Sequence, residues 1–93
     1  ILINNGGGGI FRILPGHQEN ETFHTYFETS HCLTAEHLAK MYRFDYLTAA
    51  DETTLKAGLK QLFANNDQPA ILEVFTPTRD NNKLLLDYFK ALV

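Results

Sequence analysis

The chain of 93 residues predicts an α/β fold, a partial parallel sheet of about three strands alternating with helices. Apolar, partly β-branched runs stand at Ile1–Asn4, Tyr46–Thr48 and Ala70–Phe75. Between them lie segments whose apolar residues recur with a helical period. A glycine run follows the first strand at once, at the place where open α/β sheets hold their ligands. Strand–helix–strand order implies parallel pairing and right-handed crossovers. Such a small sheet has two open edges and needs cover on both faces, so further strands are expected ahead of Ile1.

Ile1-Leu2-Ile3 reads as the tail of a buried strand that ends in Asn4. After the glycines, Ile10–Leu14 forms a short apolar turn stopped by Pro15-Gly16. Residues 16–32 are polar, with Phe23, Tyr26 and Phe27 at helical spacing. This is a long, partly helical excursion, of the kind that tends to be functional or mobile. Thr34 is expected to cap a helix with Glu36 in its first turn. Ala35, Leu38, Ala39 and Tyr42 mark one face of that helix, which runs to about Arg43. Asp51 caps the next helix, whose Leu55, Leu59, Leu62 and Phe63 form an apolar stripe. Gly58 should weaken it by up to about 1 kcal/mol relative to Ala, and Asn65–Pro69 should end it. Ala70–Phe75 is the clearest strand, bounded by prolines. A last helix starts near Asp80 with Leu85, Leu86, Phe89 and Leu92 inward.

The length allows one small domain at most. A formal charge of −3 and the lack of a basic stripe argue against nucleic acid as a partner. No apolar run approaches the ~20 residues of an integral membrane segment. The single cysteine, Cys32, leaves no internal disulfide and fits a reducing, cytoplasmic setting. Because the chain opens in mid-strand without Met, it reads as a C-terminal piece of something larger.

The chemistry concentrates in Asn4-Asn5-Gly6-Gly7-Gly8-Gly9, followed by Ile10-Phe11. Glycine carries no Cβ, so its N–H groups can approach a large anion closely. The carboxamides add neutral oxygens that suit a hard ion such as Mg²⁺. A magnesium-borne diphosphate satisfies both halves of the motif. A P-loop would need Lys and Ser or Thr after the last glycine, and a dinucleotide fingerprint a small residue where Phe11 stands. A flexible surface turn is the plain alternative, and the position at a strand end weighs against it.

Strand, Asn-Asn and glycine-rich loop together resemble the end of the thiamin-diphosphate motif. More narrowly, Asn4–Phe11 with Leu14-Pro15 resembles the 2-succinyl-5-enolpyruvyl-6-hydroxy-3-cyclohexene-1-carboxylate synthase family of menaquinone biosynthesis. Phe27-Glu28-Thr29-Ser30-His31 is similar to that family's Phe-x-Thr-Pro-His segment, and Glu36–Tyr42 to the helix after it. The resemblance runs from Ile1 to about Phe75. It implies that residues 1–93 form the C-terminal part of a thiamin-diphosphate-binding domain. It further implies that Asn5 gives its side-chain oxygen and Gly7 its backbone carbonyl to Mg²⁺. Asn4 would orient the turn or contact the diphosphate, which Gly6, Gly8 and Gly9 would line. Ile10, Phe11 and Leu14 would form an apolar wall beside the thiazolium and the substrates, where a low dielectric favours loss of CO₂.

The family joins decarboxylated 2-oxoglutarate to isochorismate, with the cofactor carrying the hard chemistry. The resemblance implies a homo-oligomer, dimer or tetramer, for the full-length enzyme. The acidic metal ligand, the activating glutamate and the substrate-binding arginines are expected outside these residues. No catalytic residue is therefore assigned within the chain, and the piece alone is expected to be inactive. Another thiamin-diphosphate carboligase, of acetolactate-synthase type, is the near alternative. A non-catalytic interaction fragment with exposed sheet edges is the more distant one.

Arg12 stands where the family usually has a small hydroxyl residue. It is expected to be solvated, with a reach toward a substrate carboxylate as the other possibility. His17, His24 and His31 recur every seven residues without a ligand pattern and read as surface or packing groups. His31, within the matched segment, is the one expected to fold the excursion back on the site. Cys32 reads as a buried or idle thiol.

Overall fold

The computed structural model describes residues 1–64 and 67–93. The strands are β1 (Leu2–Asn4), β2 (Asp45–Ala49) and β3 (Ala70–Phe75), and the helices are α1 (Glu36–Met41), α2 (Glu52–Ala64) and α3 (Asp80–Ala91). Two units divide these elements. The first comprises residues 1–4 and 33–76, and the second residues 5–32 and 77–93.

In the first unit the sheet is all parallel with order β1-β3-β2. The richest apolar strand, β3, is the central one. Leu2, Ile3 and Asn4 pair with Glu73, Val74 and Phe75, while Asp45 to Ala49 pair with Ala70 to Val74. The expected burial of Ile1-Leu2-Ile3 is overturned, for all three are exposed. Within the unit, β1 has a neighbour on one side only.

Side chains alternate across β3. Leu72, fully buried, faces α2, where a Cβ on Gly58 would lie 2.7 Å from Leu72 Cδ1. The glycine that weakens the helix is thus what lets helix and strand approach. Leu55, Leu59 and Leu62 flank this contact and are half-buried, but Phe63 points away at 75% exposure, against expectation. The Asp51 cap is present. Its carboxylate accepts the Thr54 N–H at 2.8 Å, and Thr54 Oγ1 accepts the N–H groups of Ala50 and Asp51 at 3.1 Å each. The expected helix stop falls partly on Asn65 and Asn66, which lie outside the described residues.

Glu73 faces the opposite side and is 0% exposed. Its carboxylate accepts the Ala35 N–H at 2.9 Å, the Asn4 side-chain amide at 2.7 Å and the Tyr46 hydroxyl at 2.5 Å. This corrects the expected Thr34 cap. Ala35 is the N-cap of α1, its N–H is met by Glu73, and Thr34 is hydrogen-bonded to Tyr46 instead. Only Ala35 and Ala39 of the expected α1 face are buried, while Leu38 and Tyr42 are exposed. The helix closes early in a Schellman turn. Phe44 N–H donates to Ala39 O at 2.8 Å and Arg43 N–H to Lys40 O at 3.2 Å, with Arg43 at φ 58°.

The second unit holds a 3₁₀ turn (Gly9–Arg12), a π-helical turn (Phe23–Phe27) and α3. Asn20 starts the π turn, its side chain accepting the Phe23 N–H at 2.9 Å. The turn ends where Glu28 N–H reaches Phe23 O at 3.0 Å. The excursion is therefore partly helical, as expected. Helix α3 begins at Asp80 as read, but Leu85, Leu86, Phe89 and Leu92 are exposed rather than inward. Within this unit its principal neighbour is the short 3₁₀ turn, too small to cover an apolar stripe of that length.

Candidate functional site

Asn4 closes β1 in the first unit. Its carbonyl accepts the Thr76 N–H at 3.0 Å, and its side-chain amide donates to Glu73 at 2.7 Å and to Leu33 O at 2.9 Å. These bonds fix the side chain of Asn4 within the first unit.

The rest of the motif belongs to the second unit. Thr78 Oγ1 donates to Asn5 O at 2.7 Å, and Asn5 Oδ1 accepts the Gly7 N–H at 3.2 Å. Gly6 takes φ 72°, which a side chain would strain, and its carbonyl accepts the His31 N–H at 2.9 Å. Gly9 N–H donates to Gly7 O at 3.2 Å with Gly8 at φ −85°, ψ 67°, an inverse γ-turn. Gly8 N–H donates to Glu28 O at 2.5 Å. A Cβ on Gly7 would lie 3.0 Å from Glu28 O, and one on Gly8 2.9 Å from Phe27 O. The backbone of the excursion thus occupies the room that side chains would need.

Two carbonyl oxygens here suit a hard cation, whereas the N–H groups of Gly7, Gly8 and Gly9, expected to meet an anion, all donate within the chain. Asn5 Oδ1 and Gly7 O are neutral oxygens two residues apart, and each accepts one hydrogen bond. A carbonyl oxygen has two lone pairs, so each can offer the second to a metal. Among the described residues no group of three or more His, Cys, Asp or Glu side chains forms a metal cluster.

Ile10, Phe11 and Leu14 are all exposed, so the proposed wall faces solvent in this chain. Phe11 meets Phe27 edge-on at 5.6 Å and, with Pro15, His17, Asn20, Phe23 and Phe27, lines an open cavity of about 320 Å³. Ile10 and Leu14 do not line it.

Arg12 departs from expectation. Its side chain is 7% exposed, because the guanidinium is ion-paired with Glu28 and with Glu19 at 2.7 Å and lies 4.9 Å above the Phe23 ring. His24 Nδ1 lies 2.7 Å from the other Glu28 oxygen. His24, and after it Arg12, hold the Glu28 carboxyl below the usual carboxylate range. His17 packs its ring on Phe23 at 4.4 Å, and Cys32 is exposed rather than buried. The main-chain N–H of His31, bound to Gly6, does fold the excursion back on the loop.

Sequence reasoning missed Glu28, Thr78 and Glu73. Glu73 alone left a signal, a charge inside the apolar run Ile71–Phe75.

No model of a protein family matches the chain, and no solved structure does either. Curated proteins do. The chain is 64% identical over 92 residues to the 2-succinyl-5-enolpyruvyl-6-hydroxy-3-cyclohexene-1-carboxylate synthase of Flavobacterium johnsoniae, a match that takes in 99% of the chain and 17% of that protein. It is 66% identical over 92 residues to the synthase of the same name from Flavobacterium psychrophilum, again across 99% of the chain and 16% of the relative. With the synthase of Christiangramia forsetii the identity is 45% over the same length, 16% of that relative. The chain spans about one sixth of the length of these relatives. Over practically all of its residues, then, the chain is homologous to one segment of the 2-succinyl-5-enolpyruvyl-6-hydroxy-3-cyclohexene-1-carboxylate synthases.

Proposed function

We propose that the chain is the C-terminal part of a thiamin-diphosphate-binding domain. The whole protein would be a Mg²⁺-dependent carboligase that decarboxylates 2-oxoglutarate and adds the remaining unit to isochorismate in menaquinone synthesis. It would act in the cytoplasm as a homo-oligomer. The observation that supports this most is the glycine loop at the end of β1, with two neutral oxygens, Asn5 Oδ1 and Gly7 O, two residues apart. The names of the relatives support it independently. Asn5 and Gly7 would hold the metal, and Gly6, Gly8 and Gly9 would let the main chain approach the diphosphate. Asn4 serves by orientation, through its bonds to Glu73 and Leu33. Thiamin diphosphate, when bound, supplies the carbanion-stabilising chemistry that loss of CO₂ requires. Ile10, Phe11 and Leu14 exclude water from the reacting carbon once the rest of the enzyme covers them.

A chimera tests this. The chain replaces the matching segment of the Flavobacterium johnsoniae synthase, and binding of magnesium and thiamin diphosphate is measured by calorimetry, with turnover of 2-oxoglutarate and isochorismate alongside. Binding and turnover are expected, and both should be lost in Asn5→Ala. A chimera that binds no cofactor, or an Asn5→Ala variant that binds it as before, would refute the assignment. Decarboxylation of pyruvate in preference to 2-oxoglutarate would favour the acetolactate-synthase type. The exposed apolar residues of β1 favour a second reading, an interaction surface, which a folded chimera without catalysis would support.

A further inference from the structure

The chain carries a charged network that the cofactor reading does not use. Arg12 leaves the 3₁₀ turn immediately after the glycine loop, and Glu28 ends the π-helical turn of the excursion. Both side chains are nine-tenths or more buried. Glu28 receives Arg12 on one carboxylate oxygen and His24 on the other, and Arg12 also holds Glu19. Arg79 lies 3.9 Å from Glu19 at the exposed end of the network. Among the described residues Arg12 Nε is buried without a partner, and the guanidinium is held there by its two terminal nitrogens.

The network matters for what the Glu28 main chain does. Glu28 O accepts the Gly8 N–H, and the same oxygen would lie 3.0 Å from a Cβ on Gly7 and 3.1 Å from one on Gly8. Thr29 is next, a β-branched residue at φ 48°, a conformation that persists only where the surroundings enforce it. Two residues further, the His31 N–H closes on Gly6 O. The loop is thus gripped at Gly6 and Gly8 by a strained stretch whose first side chain is clamped by Arg12.

We propose that Glu28, clamped by Arg12 and His24, is a positioning residue that fixes the glycine loop in its ligand-holding form. It acts through its carbonyl on Gly8 and touches neither metal nor substrate. Arg12 is the other half of the clamp. This rests on the cofactor reading for its consequence, though not for the contact itself.

The test uses the full-length chimera and the variants Arg12→Ala, Glu28→Ala, the double variant and Arg12→Lys. Hydrogen exchange of the apo protein reads the peptide covering Asn5–Phe11, and titration of Mg²⁺ at saturating thiamin diphosphate reads the site. Each alanine variant should speed exchange of the loop and raise the magnesium half-saturation by about tenfold, the scale of one charge-assisted hydrogen bond. The double variant should do no more than either single one, and Arg12→Lys should fall between. Exchange within β3 should not change. The proposal is overturned if loop exchange stays within about twofold of the parent, if the two effects multiply, or if β3 accelerates with the loop. Should Arg12→Ala fail to fold, Arg12→Lys and Glu28→Ala make the same comparison. If loop exchange responds as stated while the parent chimera binds no cofactor, the clamp stands and the cofactor reading falls.

Discussion

Gly58→Ala separates two opposing effects at one atom. In an exposed helix the change is worth about 1 kcal/mol in favour of Ala. Here the added Cβ would sit 2.7 Å from Leu72 Cδ1 and 3.4 Å from Cδ2. Leu72 is 0% exposed at the centre of the sheet, so its side chain has no open space to swing into. Overpacking of this kind costs about 1–3 kcal/mol. The net expectation is a loss of up to about 2 kcal/mol. Leu72→Val withdraws the offending δ carbons at a cost of about 1 kcal/mol. In that background the clash is gone and the helix preference remains, so Gly58→Ala should now stabilise by up to about 1 kcal/mol. Urea unfolding of the four chains, followed by circular dichroism, measures the cycle. A Gly58→Ala effect of the same sign in both backgrounds would refute the account of why glycine stands there.

Two further outcomes follow from the first unit. Arg43→Gly removes a side chain from a left-handed backbone at the end of α1 and should raise stability by up to about 1 kcal/mol in the same urea assay. Burial, and then the bond to Glu73, push the Tyr46 hydroxyl up to about 12, so an absorbance titration should show one ionisation above the ordinary tyrosine range that Tyr46→Phe removes. Because the folded state holds that proton more tightly, its contribution is complete below the ordinary tyrosine range and fades as pH rises toward about 12. Tyr46→Phe takes one donor from a buried carboxylate and should cost about 1–3 kcal/mol at neutral pH.

What could be read from residues alone was what local chemistry dictates. The helical period of Leu55, Leu59 and Leu62, the Asp51 cap and the β-branched run of β3 each carry their own signal, and each element is present. The glycine loop was legible in part, since Gly6 adopts a positive φ, but what Gly7 and Gly8 pass close to is the main chain of Phe27 and Glu28, where the sequence had pointed to a ligand. What eluded reading depends on distant partners. The Thr34 cap was displaced by a carboxylate 38 residues beyond Ala35, at Glu73. Arg43 ends α1 without the glycine that usually marks such a turn. Arg12 looked solvated because its two acidic partners lie 7 and 16 residues ahead, on an excursion with little pattern of its own. The apolar stripe of α3 was real, yet its cover is not among the neighbours within its unit.

The buried carboxylate of β3 has a consequence for sliding between strands. Neighbouring residues on a strand point to opposite faces, so a shift of one position would drive Glu73 against the apolar helix and leave Leu72 among the stranded donors of Ala35, Asn4 and Tyr46. A naked charge in such a place costs several kcal/mol, more than a misaligned ladder could return. The acid therefore works as a keyway, admitting one alignment of the three strands and rejecting the slipped ones.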